Sequence, residues 1–183
     1  MKTKRNLLRL SIVIVLLLNT YSILAQDYVY VKATFDPSNA FGIMDNPRTK
    51  VESIGFDYDV EIGARHKWMG VYAFWGAFNE INYRNYGAGV DFYPDWFNKT
   101  FDLSMGIHTG VILRQGYGYN NEKVWGAYLA PGVRGVASWY FFKNLGITAT
   151  ANLQHRADIG KLAIFEGHIG LIFKRNNTNK RFR

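Results

Sequence analysis

The chain predicts an all-β protein, an eight-stranded antiparallel up-and-down transmembrane β-barrel, and three features of its 183 residues carry that expectation. Apolar and polar side chains alternate with period two in long runs, and helical periodicity is missing beyond the first 25 residues. The apolar faces hold more bulk than the interior of a small barrel can take, whereas the opposite faces are glycine, serine, threonine and charge. The connections alternate between longer and shorter, as they do when a chain is threaded up and down through a membrane.

The first element is an address. Lys2, Lys4, Arg5 and Arg9 precede or interrupt a short apolar stretch that runs to Leu18, and Ala25 precedes Gln26. A charged start, an apolar run too short to span a bilayer and a small residue before the cut describe a secretory signal peptide, residues 1–25. The charge follows the same division. The formal net charge is +8, but residues 1–25 carry +4 and residues 174–183 carry +5, which leaves 13 cations against 14 acids between them. Nucleic-acid binding is thereby disfavoured, since the excess sits on two short ends and not on a basic face. Cysteine is absent, which excludes disulfides, thiolate metal sites and a cysteine-linked lipid anchor.

The strands follow in order over 28–36, 53–65, 69–79, 84–93, 101–114, 124–142, 145–154 and 162–173. In 53–65, Ile54, Phe56, Tyr58, Val60, Ile62 and Ala64 oppose Ser53, Gly55, Asp57, Asp59, Glu61, Gly63 and Arg65. The run 101–114 sets Phe101, Leu103, Met105, Ile107, Val111 and Leu113 against Asp102, Ser104, Gly106, His108, Gly110 and Arg114. Strand 69–79 is apolar on both faces, and its phase stays open. Pro37–Lys50 and Gln115–Lys123 are the longer loops, and tighter turns fall at His66–Trp68, Pro94–Lys99 and Phe142–Asn144. The barrel is expected to occupy 26–173, with a basic periplasmic tail over 174–183.

Because the apolar face is the bulky one, it is assigned to lipid, with Ile107 and Leu129 near mid-membrane. Trp68, Trp96, Phe97, Trp139, Tyr140, Phe141 and Phe173 cluster at strand ends near the short turns, the position of an aromatic girdle at the headgroups. The polar face then lines the lumen. Asp57, Asp59, Glu61, Arg65, Asp91, His108, Arg114, Arg134, Glu166 and His168 are expected to form a polar network there. Buried charges must pair, so a salt-bridged plug is preferred to an ion pathway. Arg134 is expected to hold one or more of Asp57, Asp59 and Glu61.

Glu166 and His168 lie two apart on one strand and share a face, which is half of a hydrolytic triad. No serine motif accompanies them. The four histidines, His66, His108, His155 and His168, have no metal-ligand spacing, and no cofactor is expected.

The signal peptide, the eight strands, the short turns and the last strand Leu162–Phe173 together resemble small outer-membrane barrels of the OmpA, OmpX and opacity-protein type. That resemblance implies outer-membrane lipid and the barrel-insertion machinery as partners, and a C-terminus on the periplasmic side. It also implies an extracellular ligand, if any, at the loops. The chain departs from such barrels in carrying ten residues after Phe173. The function expected is a structural or interaction role through the loops, with a lipid-modifying enzyme using His168 and Glu166, or a narrow channel, as alternatives.

Overall fold

A computed structural model describes residues 27–41, 55–94, 100–117 and 122–176. The signal segment, Trp96, Phe97, most of the loop Pro37–Lys50 and the tail beyond Asn176 therefore lie outside the described residues. The elements are β1 (Tyr28–Phe35), α1 (Pro37–Phe41), β2 (Asp57–His66), β3 (Met69–Phe78), β4 (Tyr83–Phe92), β5 (Phe101–Tyr117), β6 (Lys123–Leu129), β7 (Gly132–Tyr140), β8 (Leu145–Arg156) and β9 (Lys161–Asn176). Every neighbouring pair is antiparallel, and the β4–β5 pairing closes the sheet into a ring in which β1 lies beside β9.

The ring has eight walls because β6 and β7 are one wall. Val111 pairs with Leu129 and His108 with Gly132 in the same register. The amides of Gly110 and Ala130 bond each other's carbonyls across the gap. The interruption is chemical. His155 N–H donates to the Pro131 carbonyl at 2.9 Å, but proline has no N–H to return the bond to β8. The strand expected over 124–142 is thus built from β6 and β7 in one register and ends at Tyr140, and of the two only β7 pairs with β8.

Two short 3₁₀ turns, η1 (Asn79–Ile81) and η2 (Ala157–Ile159), reverse the chain at the end opposite the termini. Each ends in a left-handed residue, Asn82 (φ 49°) and Gly160 (φ 67°), residue types that adopt that conformation at low cost. α1 opens with Asp36, whose Oδ1 accepts bonds from Ser38 N–H (2.8 Å) and Oγ (2.6 Å). Pro37 then stands at the first helical position, where no N–H is needed. We call this the loop end, and the end carrying Asp27, Asn176 and the His66–Met69 turn the turn end.

Several strands extend past the sequence-based limits. β5 reaches Tyr117 and β6 begins at Lys123, so both strands run into the segment expected as the loop Gln115–Lys123. At the other end β9 continues past Phe173, pairing Lys174, Arg175 and Asn176 with β1. The supposed tail therefore begins inside the barrel wall.

The seam between β9 and β1 is tight. A Cβ on Gly170 would meet the Ala33 carbonyl oxygen and lie 2.6 Å from Thr34 Cα, both backbone atoms that cannot swing aside. By contrast, Gly135 and Gly167 face open space. Gly170→Ala is expected to lower unfolding stability by about 1–3 kcal/mol, as overpacking does. Gly135→Ala and Gly167→Ala should stay within about 0.5 kcal/mol of the parent. Urea titration of the refolded barrel, followed by tryptophan fluorescence, measures the difference.

Candidate functional site

The outer surface resolves into bands. At the turn end Trp68 stacks on Phe92 (5.9 Å between centroids) and Trp139 meets Phe141 edge-on (6.3 Å), with Phe173 also exposed. At the loop end Phe35, Phe56, Tyr58 and Trp75 form a continuous run of ring contacts at 5.5, 6.2 and 5.6 Å, with Tyr86 exposed beside them. Between the bands the exposed side chains are aliphatic, among them Val31, Ile62, Val71, Ile107, Val133 and Leu171. Aromatics were expected at the turn end alone, so the second band corrects that reading. Tyr140 corrects it again. It is buried, because even-numbered residues of β7 point inward, and its ring lies under Lys174.

The lumen is packed in three charged layers. At the turn end Arg65 donates to Asp102 (2.7 Å), which also accepts from the Tyr28 hydroxyl (2.9 Å). The Arg65 guanidinium covers the Tyr93 ring at 4.1 Å, and Lys174 Nζ sits 3.3 Å above the Tyr140 ring. Cations stacked on aromatic faces make this layer a floor.

The central layer is a balanced quartet. Arg134 on β7 reaches Glu61 on β2 through Nη1 (2.6 Å) and Nη2 (3.1 Å), and Asp91 on β4 through Nε (2.9 Å) and Nη2 (2.5 Å). Lys32 on β1 bonds Glu61 at 2.9 Å, and Tyr30 O–H donates to Glu61 at 2.7 Å. The guanidinium carbon lies over the Tyr72 ring, 3.3 Å from its centroid. Of the three carboxylates expected for it, Arg134 holds Glu61 and neither Asp57 nor Asp59. Inward residues on one strand are spaced roughly 7 Å apart, so one guanidinium reaches only one of the three.

The third layer closes the loop end. Arg156, fully buried, donates to Glu166 (2.7 Å) and, through Nε and Nη2, to Asp158 (2.8 Å each). Asp158 also takes Arg114 (3.3 Å), tying the η2 turn to β5. Asp57 stands apart in a corner, accepting from Asn39 Nδ2 at 2.9 Å, which also reaches Asp36 at 3.1 Å.

Between the second and third layers is a cavity of about 30 Å³, lined among others by Asp59, His108, Asn152, Glu166 and His168. His168 Nε2 lies 3.2 Å from Asp59 Oδ2, and His108 packs edge-on against Phe74 at 5.6 Å. Below the quartet a second space measures about 10 Å³. Each holds about one or two waters. Glu166 and His168 both point inward, as expected, but they take different partners, and among the described residues no serine lines the cavity that holds them.

Sequence reasoning missed Tyr72, Lys174, Asp158 and Tyr140. A signal for the rings was present in the glycines. Tyr72 pairs laterally with Gly63 and Gly89, and Phe74 with Gly87. A Cβ at Gly89 would strike the Tyr72 ring, and one at Gly87 the Phe74 ring. Inward glycines flanking an apolar position mark space reserved for an inward aromatic.

An eight-walled, all-antiparallel barrel with an aliphatic belt outside and ion pairs inside defines the fold of the small outer-membrane barrels. No protein-family model matches the chain, and no curated protein is significantly similar to it in sequence. Solved structures do match. The N-terminal β-barrel domain of Pseudomonas aeruginosa OprF superposes with a TM-score of 0.62 at 10% identity, covering 82% of this chain and 98% of that domain. Neisserial surface protein A gives 0.51 at 13% identity, over 82% and 96%. The Yersinia pestis attachment invasion locus protein Ail, solved with the heparin analogue sucrose octasulfate, gives 0.53 at 8% identity, over 81% and 97%.

Proposed function

We propose that the chain is an outer-membrane barrel whose lumen braces the wall and conducts nothing, and whose contacts with other molecules are made at the loop end. The observation that carries this reading is the pair of aromatic bands bracketing an aliphatic belt, the signature of a barrel matched to a bilayer. Its partners on this reading are outer-membrane lipid, the insertion machinery that places it there after cleavage near Ala25, and an extracellular ligand at the loops. The lumen supports a brace, since the Arg134 quartet joins four of the eight walls and leaves only small spaces on either side. A lipid-modifying role for His168 and Glu166 has less support, because Glu166 is engaged by Arg156.

The chain, refolded into phosphatidylcholine vesicles, is expected to migrate differently on gels before and after boiling and to give no steady current across planar bilayers. A detergent-free soluble monomer would sink the membrane assignment. Steady conductance would replace the brace with a channel.

A further inference from the structure

The aliphatic belt is not smooth. Outward side chains line up laterally across β2 to β5, and one row is small: Ile62 stands beside Ala73, Ala73 beside Ala88 and Ala88 beside Thr109. The next outward row toward the loop end carries Trp75 and Tyr86 side by side. The step between the rows leaves an apolar groove of about 990 Å³ in the outer wall, which Ala64 and Val29 continue toward the turn end. From Ile62 to Lys67 is five residues, roughly 16 Å along the strand. The hydrocarbon core of a bilayer is roughly 30 Å thick, so the groove belongs to one leaflet, the one at the turn end.

Two cations stand at its mouth. Arg175 is exposed on β9 and lies laterally beside Val29. Lys67 is exposed in the β2–β3 turn, three residues beyond Ala64. Its backbone is held on both sides, the N–H donating to Asp27 at 2.6 Å and the carbonyl accepting from Arg65 Nε at 2.8 Å. Among the described residues neither the Lys67 ammonium nor the Arg175 guanidinium makes an ion pair. Of the described acids at this end, Asp102 is held by Arg65, and Asp27 accepts the Lys67 N–H.

We propose that the groove and its two cations bind an anionic phospholipid, with the phosphate at Lys67 and Arg175 and one acyl chain laid over the alanines as far as Trp75. The groove opens on the lipid face, so its occupant is hydrocarbon; the cations at its mouth decide which lipid supplies it. A cation near the membrane surface favours an anionic headgroup by about fivefold, and a zwitterionic headgroup brings its own positive charge and gains less. The proposal rests on the membrane reading above, which puts the turn end at the periplasmic leaflet.

The test is native mass spectrometry of the full chain refolded in detergent micelles, with dioleoyl phosphatidylglycerol and dioleoyl phosphatidylcholine supplied at equal concentration. One phosphatidylglycerol should be retained per chain, at least about tenfold more tightly than phosphatidylcholine. Lys67→Gln combined with Arg175→Gln should bring the two lipids to within about twofold of each other. Arg84→Gln removes an exposed cation from the loop end and should behave as the parent. Ala73→Leu combined with Ala88→Leu fills the small row without changing a charge, and should weaken phosphatidylglycerol retention at least about fivefold by removing the acyl chain's contacts. Glycerol phosphate, a headgroup without chains, should not displace the lipid. Equal retention of the two lipids overturns the proposal, as does parent-like retention by either double variant. Displacement by glycerol phosphate, an equal loss in Arg84→Gln, or a barrel dimer in place of the lipid adduct overturns it too. The heat-dependent gel shift shows that each variant has folded. A detergent-free soluble parent would instead sink the membrane reading, so the two failures are distinguishable.

Discussion

Arg134→Ala is expected to destabilise the barrel by about 3–5 kcal/mol, the range for removing one partner of a buried ion pair. The loss should be unevenly rescued, because the two carboxylates that Arg134 holds are not equally dependent on it. Glu61 keeps Lys32 at 2.9 Å and the Tyr30 hydroxyl at 2.7 Å. Asp91, 1% exposed, has Arg134 as its only ion-pair partner among the described residues. Adding Asp91→Asn to Arg134→Ala should therefore recover more stability than adding Glu61→Gln, which would also strand Lys32. Urea unfolding of the parent and the three refolded variants measures this. Equal rescue by both second substitutions would show that the quartet shares its charge differently from the distances given.

The second large effect is on the outside. Ile107→Arg is expected to cost about 2–4 kcal/mol in a lipid bilayer, the range for a cation on the lipid face at mid-depth. Ile107 is 59% exposed and lies in the aliphatic belt, on β5 between Phe101 and the Pro131 level. Leu129→Arg should cost less than the sequence-based placement implied. Leu129 ends β6, on the loop-end side of Pro131, and β6 lies against η2, so its side chain is nearer the aqueous boundary than that of Ile107. Unfolding in vesicles compared with detergent micelles reads the difference. Equal penalties at both positions would mean that the belt extends past Pro131.

Much of this architecture was legible in the sequence because lipid and lumen impose opposite demands on alternate residues. The inward phase of Glu61, Asp91, Arg134 and Glu166 follows from the polar side of each alternation, and the fold class follows from the bulk of the other side. Which charges meet was not legible. Pairing depends on strand tilt and register around the ring, so Arg134 found Asp91 on β4 and left Asp59 to His168. β3 was unreadable for a different reason. Its inward positions carry Tyr72 and Phe74 because the guanidinium of Arg134 rests on one ring and His108 packs against the other, so both faces look apolar. Tyr140 misled in the same way, since an aromatic at a strand end serves a headgroup boundary or a lumen floor with equal ease. Asp158 was overlooked because its place in a short turn gave no sign that it would fold back over the barrel mouth to hold Arg156 and Arg114.

The β1–β9 seam decides when the molecule becomes a barrel. Tyr28 pairs with Asn176, so the first strand of the wall waits for the last, and Lys174 completes the floor only when that end arrives. Hairpins such as β2–β3 can form from neighbouring residues, but ring closure joins the most distant parts of the described chain. Its entropic cost is met before the cross-lumen contacts repay it. Every shorter intermediate presents two open sheet edges and an incomplete Arg134 quartet if β1, β2, β4 and β7 have not yet been brought round. Assembly is therefore slow relative to hairpin formation and concentrated in one late step. Removing residues 174–176 would leave most of the local structure intact while taking away the latch.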